Sequence, residues 1–306
     1  MRTEAFELSL DEARDYPQIW RLLLGCLLII FIYLSGAAFL IGVTIGAAGA
    51  IDPAYTTNVT AALMRITSSA QGYGGIDTPL ATLIVLGTFL GFFIGPLLAA
   101  AALHFRGPGS LFGEWEDWLE GFTTALVVLV PVYAVVVGLA FWLDPPNPGL
   151  PFNRWLLLLP LAVPLIFVQT AAEELVFRGY LQQQLAARFR ARWIWMGLPA
   201  LIFAALHWMP SAEANLPLVL LGALVFGLLA ADLTAQTGNL GAAMGLHFGN
   251  NLVALLGVAT ADTITGLALF VTPTPVSETG VQSISILISV TLMVLVWWLV
   301  RRRLTR

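Results

Sequence analysis

Eight apolar runs of helical length, each closed by turn-forming residues, dominate this sequence. They cover roughly Trp20–Ala50, Leu80–Phe105, Leu119–Leu143, Trp155–Leu185, Trp193–Trp208, Leu216–Ala235, Leu240–Val258 and Val281–Val300. A bilayer core of about 30 Å is crossed by about 20 apolar residues in a helix. The breaks between runs hold Gly72-Tyr73-Gly74-Gly75, Gly107-Pro108-Gly109, Pro145-Pro146-Asn147-Pro148-Gly149 and Thr272-Pro273-Thr274-Pro275, which is turn chemistry. Charged residues are 10% of the 306 and the hydrophobic set is 58%. Soluble domains carry about 25% charged residues, so both a soluble globular fold and a disordered chain are excluded. The expectation is an all-α polytopic membrane protein of about eight transmembrane helices enclosing an intramembrane active-site cavity.

All 14 cationic side chains are Arg, and their placement sets the orientation. With a cytosolic N-terminus, Arg2, Arg14, Arg21, Arg106, Arg188, Arg190, Arg192, Arg301, Arg302, Arg303 and Arg306 fall inside. Arg65 and Arg154 fall outside, a ratio of 11 to 2 with intramembrane Arg178 set aside. That asymmetry is the positive-inside pattern and puts both termini in the cytoplasm. The lack of Lys points to a prokaryotic inner (plasma) membrane. Residues 1–19 are acidic and read as a cytosolic segment, since a signal peptide starts with a positive region. Residues 20–306 read as one transmembrane domain. Cys26 is alone and forms no internal disulfide. No basic surface calls for nucleic acid, and the lipid bilayer is the one partner the composition demands.

Ionisable groups inside spans are costly and mark function. Here they are Glu173, Glu174, Arg178, His207, Asp232 and His247. Asp232 reads as a wet helix terminus and His104 as an interfacial residue. Glu174 and Arg178 are four apart and can pair on one helix face. Glu173 is turned by about 100° from Glu174, which leaves one carboxylate uncompensated. A carboxylate in a poorly hydrated site is a candidate general base. His207 closes the fifth run, after Phe203. His247 and Asn251 share a face of the seventh, with Asn250 beside them. Measured along the helices from the inner anchors, Glu173, His207 and His247 lie roughly 22, 21 and 12 Å deep. Three spans thus bring polar groups toward one buried site.

The pattern lacks HExxH, which disfavours a zincin. It also lacks a serine in a Gly-x-Ser-Gly turn and a pair of intramembrane Asp residues. Hydrolysis by activated water remains. Glu173 would take the proton, His207 would position the water, and His247 with Asn251 would donate to the oxyanion. The alternative is a catalytic divalent metal such as zinc on His207, His247 and Glu173, a His₂Glu set. Asn251 beside His247 suits the oxyanion reading. Against zinc, no carboxylate or carbonyl acceptor for the second nitrogen of His247 is adjacent in sequence. The small residues Ala171, Ala172 and Gly179 and the kink-prone Pro160 and Pro164 allow close packing or a lateral gap beside the fourth span.

The set Glu173-Glu174-x-x-x-Arg178, Phe203-x-x-x-His207 and His247-x-x-x-Asn251 resembles the CAAX protease and bacteriocin-processing family (CPBP, or Abi), the Rce1-type intramembrane endopeptidases. The resemblance covers about residues 155–258. It implies eight helices and cleavage near the C-terminus of a membrane-associated peptide or lipidated protein, such as a prenylated CAAX substrate. It further implies that Glu173 is the catalytic base, that His207 acts with it, and that His247 and Asn251 stabilise the oxyanion. Glu174, Arg178, Phe203 and Asn250 would support them. The alternative from another class is a non-catalytic membrane scaffold or bacteriocin self-immunity protein on the same fold.

Overall fold

The computed structural model describes residues 2–305. Met1 and Arg306, the latter one of the arginines assigned to the inner side, lie outside the described residues. The helices are α1 (Glu4–Ser9), α2 (Asp11–Asp15), α3 (Ile19–Ile51), α4 (Pro53–Ala70), α5 (Pro79–His104), α6 (Gly109–Phe112), α7 (Trp115–Leu143) and α8 (Phe152–Arg188). There follow α9 (Trp193–Ala205), α10 (Leu216–Thr237), α11 (Gly241–Leu252) and α12 (Val281–Leu304). Among the described residues six helices are long and apolar enough to cross a membrane: α3, α5, α7, α8, α12 and the one ending at Thr237. The fifth and seventh expected spans are shorter, as α9 and α11. For α11 the physical reason is burial. Gly241 to His247 are all buried on α11, so protein rather than lipid surrounds most of it and its length need not match the bilayer.

Close backbone approach seats α11. A Cβ on Gly241 would lie 2.0 Å from the Trp118 carbonyl oxygen, and one on Gly245 would lie 2.5 Å from that of Phe122. Small residues at a helix contact allow this in lipid, where packing rather than the hydrophobic effect drives association. Trp118 Nε1 donates to Met244 Sδ at 3.4 Å across the same contact. α11 therefore sits between α7, α8 and α10, where its polar residues meet those of α8.

Three features depart from a plain helical bundle. α4, expected as part of an outer loop, starts at Asp52, whose side chain caps Ala54 N at 2.8 Å, and buries Val59 and Ala62 against Ala48, Ala81 and Ile84. A small sheet, β1 (Asn147–Pro148), β2 (Val258–Ala261) and β3 (Phe270–Pro275), joins the loops at the same end in the order β1-β3-β2. Its β1–β3 pair is antiparallel and its β2–β3 pair parallel. The N-terminal segment docks on the bundle: Phe6, Leu10 and Ala13 are fully buried. Phe6 packs on Trp195 at 5.3 Å between ring centroids, and the Thr3 hydroxyl donates to Ala235 O at 2.8 Å.

Asp232 is a helix-pinning residue. It accepts from Trp297 Nε1 at 3.1 Å and pairs with Arg301 at 3.5 Å, tying α12 to α10. His104 departs from the interfacial expectation: it is 1% exposed and shares a 3.0 Å hydrogen bond with the Tyr180 hydroxyl.

Candidate active site

The polar residues of α8 lie where the helix changes character. Phe152 to Glu174 is α-helical, and Leu175–Gln182 widens into a π-helical stretch. Such insertions are rare and recur at functional sites. Gln169 to Tyr180 are all buried. Glu173 is 8% exposed, Glu174 0% and Arg178 1%, so each needs a partner.

The partners form one chain of contacts. Arg178 Nη1 donates to Glu174 Oε1 at 3.0 Å and Nη2 to Gly227 O of α10 at 3.2 Å. The guanidinium lies 4.7 Å from the Phe203 ring centroid and 5.5 Å from that of Phe226, a cation–π enclosure. His247 Nδ1 donates to the same Glu174 Oε1 at 2.7 Å. On the other side of the imidazole, Nε2 is 3.6 Å from Glu173 Oε2. That carboxylate oxygen has no hydrogen-bond partner among the described residues. Glu173 Oε1 accepts from Gln169 Nε2 at 2.7 Å. Gln169 Oε1 accepts from Asn251 Nδ2 at 2.9 Å, Asn251 Oδ1 from Asn250 Nδ2 at 3.2 Å, and Asn250 Oδ1 from the Tyr133 hydroxyl at 2.6 Å.

The contacts of His247 overturn one sequence argument. No acceptor for its second nitrogen is adjacent in the chain, yet Glu174 supplies one from another helix, because α8 and α11 pack face to face. The bond to Glu174 puts a proton on Nδ1 and leaves Nε2 as the nitrogen facing Glu173. Asn251 also differs from expectation: it is bonded to Gln169, and its second amide hydrogen is the one left to offer.

His207 is half-buried at the end of α9. Its Nδ1 donates to Phe203 O at 2.8 Å, which leaves Nε2 free. Its ring lies 4.4 Å from the Phe203 ring centroid, and the His247 ring lies 6.1 Å from it on the same aromatic. Phe203 thus has both imidazoles beside its ring.

The alternative metal set is not gathered. Among the described residues no three His, Cys, Asp or Glu side chains come together so as to hold an ion. The bond from His247 Nδ1 to Glu174 is the second-nitrogen contact that a metal-bound His makes, but with no such trio gathered His207, His247 and Glu173 do not fit a zinc centre.

Around Ala171, Ala172 and Gly179 the outcome is close packing, whereas Pro160 and Pro164 are exposed. Ala171 and Ala172 are fully buried, and Gly179 is covered by Leu240 and Leu111. The two cavities described lie elsewhere. One of about 540 Å³ is lined by Arg65, Leu80 and Arg154, and the other, about 740 Å³, by Arg14, Arg188 and Arg192. The partly exposed members of the network are Tyr133, His207, Asn250 and Asn251.

Sequence reasoning missed Gln169 and Tyr133. Both are neutral, so the cost of burying a charge does not single them out. Gln169 did carry a signal, since it precedes Glu173 by four residues, the same interval that joins Glu174 to Arg178.

No curated protein and no solved structure matches the chain. Residues 154–253 hold every member of this network except Tyr133. They match the family model described as Rce1-like, type II CAAX prenyl endopeptidase Rce1-like, so this third of the membrane protein is similar to the CAAX prenyl endopeptidases of the CPBP family.

Proposed function

We propose that this protein is an intramembrane endopeptidase that hydrolyses a peptide bond near the C-terminus of a membrane-associated, CAAX-type substrate, with water activated by Glu173. One observation carries the reading. Glu173 Oε2 is buried without a hydrogen-bond partner and faces His247 Nε2 at 3.6 Å, while Oε1 is held by Gln169. A carboxylate fixed by one oxygen and free at the other is a positioned base.

Charge supports it. Glu173, Glu174 and Arg178 sum to one negative charge. His247, whose two nitrogens face Glu174 and Glu173, is the group beside them able to carry a compensating positive charge. In the forward step, water loses a proton to Glu173 Oε2 as its oxygen bonds to the scissile carbonyl carbon. The carbonyl π electrons move to oxygen. His247 Nε2, when protonated, and the free amide hydrogen of Asn251 donate to that oxyanion. As the oxyanion collapses, the C–N bond breaks and the leaving nitrogen takes the proton from Glu173. His207, with Nε2 free at the exposed rim, orients the water or the substrate carbonyl. His207, Asn250 and Asn251 form the side through which the substrate reaches Glu173.

We place the cytoplasm at the end that carries Arg2, Arg14, Arg21, Arg106 and Arg188, following the arginine asymmetry. Residues 1–19 then form a cytosolic cap on one transmembrane domain spanning 20–306.

Purified full-length protein should cleave a prenylated CAAX peptide in preference to its unprenylated twin, and Glu173→Gln should abolish that cleavage. Turnover that survives in Glu173→Gln would remove Glu173 as the base, and wild-type protein inert on every lipidated and plain peptide tested would favour a scaffold role.

A further inference from the structure

The cavity of about 740 Å³ lies at the arginine-rich end of the bundle, between the N-terminal segment and the α8–α9 turn. Five arginines line it: Arg2, Arg14, Arg188, Arg190 and Arg192, against the single carboxylate of Glu7. Glu7 is shared, since both Arg2 and Arg14 pair with it, and Arg14 also reaches Asp11. Arg188 bonds only neutral oxygens, those of Gln184, Tyr16 and Gln18. Its Nε is buried with no partner among the described residues. The guanidiniums of Arg190 and Arg192 make no ion pair or hydrogen bond among the described residues. At least three cations therefore converge on one concavity without a protein carboxylate to balance them.

Like charges lining one concavity repel, and the fold retains them. The chemistry that resolves this is a multivalent oxyanion taken by guanidinium forks, the geometry in which Arg binds phosphate best. Beside the cavity, Trp193 is 74% exposed, the placement of an interfacial indole. Trp195 lines the wall, and the Arg2 guanidinium sits 5.1 Å over its ring.

We propose that this cavity binds a phosphate-bearing anion, clamping the N-terminal segment to the end of the helix that carries Glu173 and Glu174. The source of the phosphate is either an anionic lipid headgroup from the adjacent leaflet, as basic pockets at helix ends take, or a soluble di- or polyphosphate. The inference is independent of the peptidase reading, because it needs no turnover.

The test uses full-length protein in nanodiscs of phosphatidylcholine alone, and of phosphatidylcholine with phosphatidylglycerol in equal parts. Inorganic pyrophosphate is titrated into the first. The readouts are the thermal midpoint and the lipids retained on gentle release, compared with the double variant Arg190→Gln/Arg192→Gln. Arg65→Gln, at the opposite end, is the control. A higher midpoint and retained phosphatidylglycerol in the wild type, lost in the double variant and kept in Arg65→Gln, establish a headgroup site. A midpoint that rises with pyrophosphate in pure phosphatidylcholine, with the same dependence on Arg190 and Arg192, establishes a soluble-phosphate site. Both effects should fade at high salt. The proposal is overturned if neither ligand stabilises the wild type, or if the double variant responds as the wild type does.

Discussion

Asn251 Nδ2 donates to Gln169 Oε1 at 2.9 Å, and this bond ties α11 to α8 one helical turn before Glu173. The other end of the same amide holds Glu173 Oε1 at 2.7 Å. A neutral side chain thus relays position from one helix to the carboxylate on another. It fixes which carboxylate oxygen is occupied and which is free.

Gln169 is accordingly a positioning residue. Gln169→Leu should keep the fold and leave KM nearly unchanged. Loss of a hydrogen bond to a charged group is worth about 1.5–3 kcal/mol, so kcat should fall by about 10- to 100-fold. Steady-state kinetics on a cleaved peptide measures the split, and a change confined to KM would contradict the relay.

Glu173→Gln preserves shape and the acceptor for Gln169 but cannot take a proton from water. Turnover should fall by at least about 10²–10⁴, with peptide binding and thermal midpoint close to wild type. Binding is read from retention of a labelled peptide, and a collapse in midpoint would show a structural role instead.

Glu174 Oε1 serves both Arg178 and His247. Glu174→Ala leaves a buried guanidinium without its counter-charge, and breaking a buried pair costs about 3–5 kcal/mol. We expect a large fall in thermal midpoint in Glu174→Ala, with partial recovery in the double variant Glu174→Leu/Arg178→Leu, which removes both charges. A midpoint unchanged by Glu174→Ala would mean the cluster is solvated.

His207, His247 and Glu173 do not assemble as a metal-holding trio, so activity should survive dialysis against a chelator. Metal analysis of active protein should find no stoichiometric zinc. Zinc at one per chain, lost together with activity in His207→Ala, would overturn this.

Gly245 lets α11 touch the α7 backbone, since a Cβ there would lie 2.5 Å from Phe122 O. Gly245→Val should push α11 away, displace His247 from Glu174 and abolish turnover. Gly138→Val, at a position where a Cβ would meet nothing within 4 Å, should be silent. Equal behaviour of the two variants would refute the close packing.

Sequence by itself determined the solvent, the class and the cast of residues. Long apolar runs broken by Gly and Pro can satisfy their backbone in lipid only as helices. A carboxylate, guanidinium or imidazole placed in such runs must find partners, so Glu173, Glu174, Arg178, His207 and His247 stood out in the chain. The Glu174–Arg178 pair was legible because its interval is local, one helical turn. Tertiary structure alone decided the rest, because it rests on which helix faces which. The acceptor for His247 comes from Glu174, 73 residues earlier in the chain. Gln169 and Tyr133 gained their roles only when α11 settled against α7 and α8. The short lengths of α9 and α11, the docked N-terminal helices and the small sheet follow from long-range packing, which periodicity within a run does not encode. The free oxygen of Glu173 likewise depends on Gln169, Asn251 and His247 arriving together from two helices.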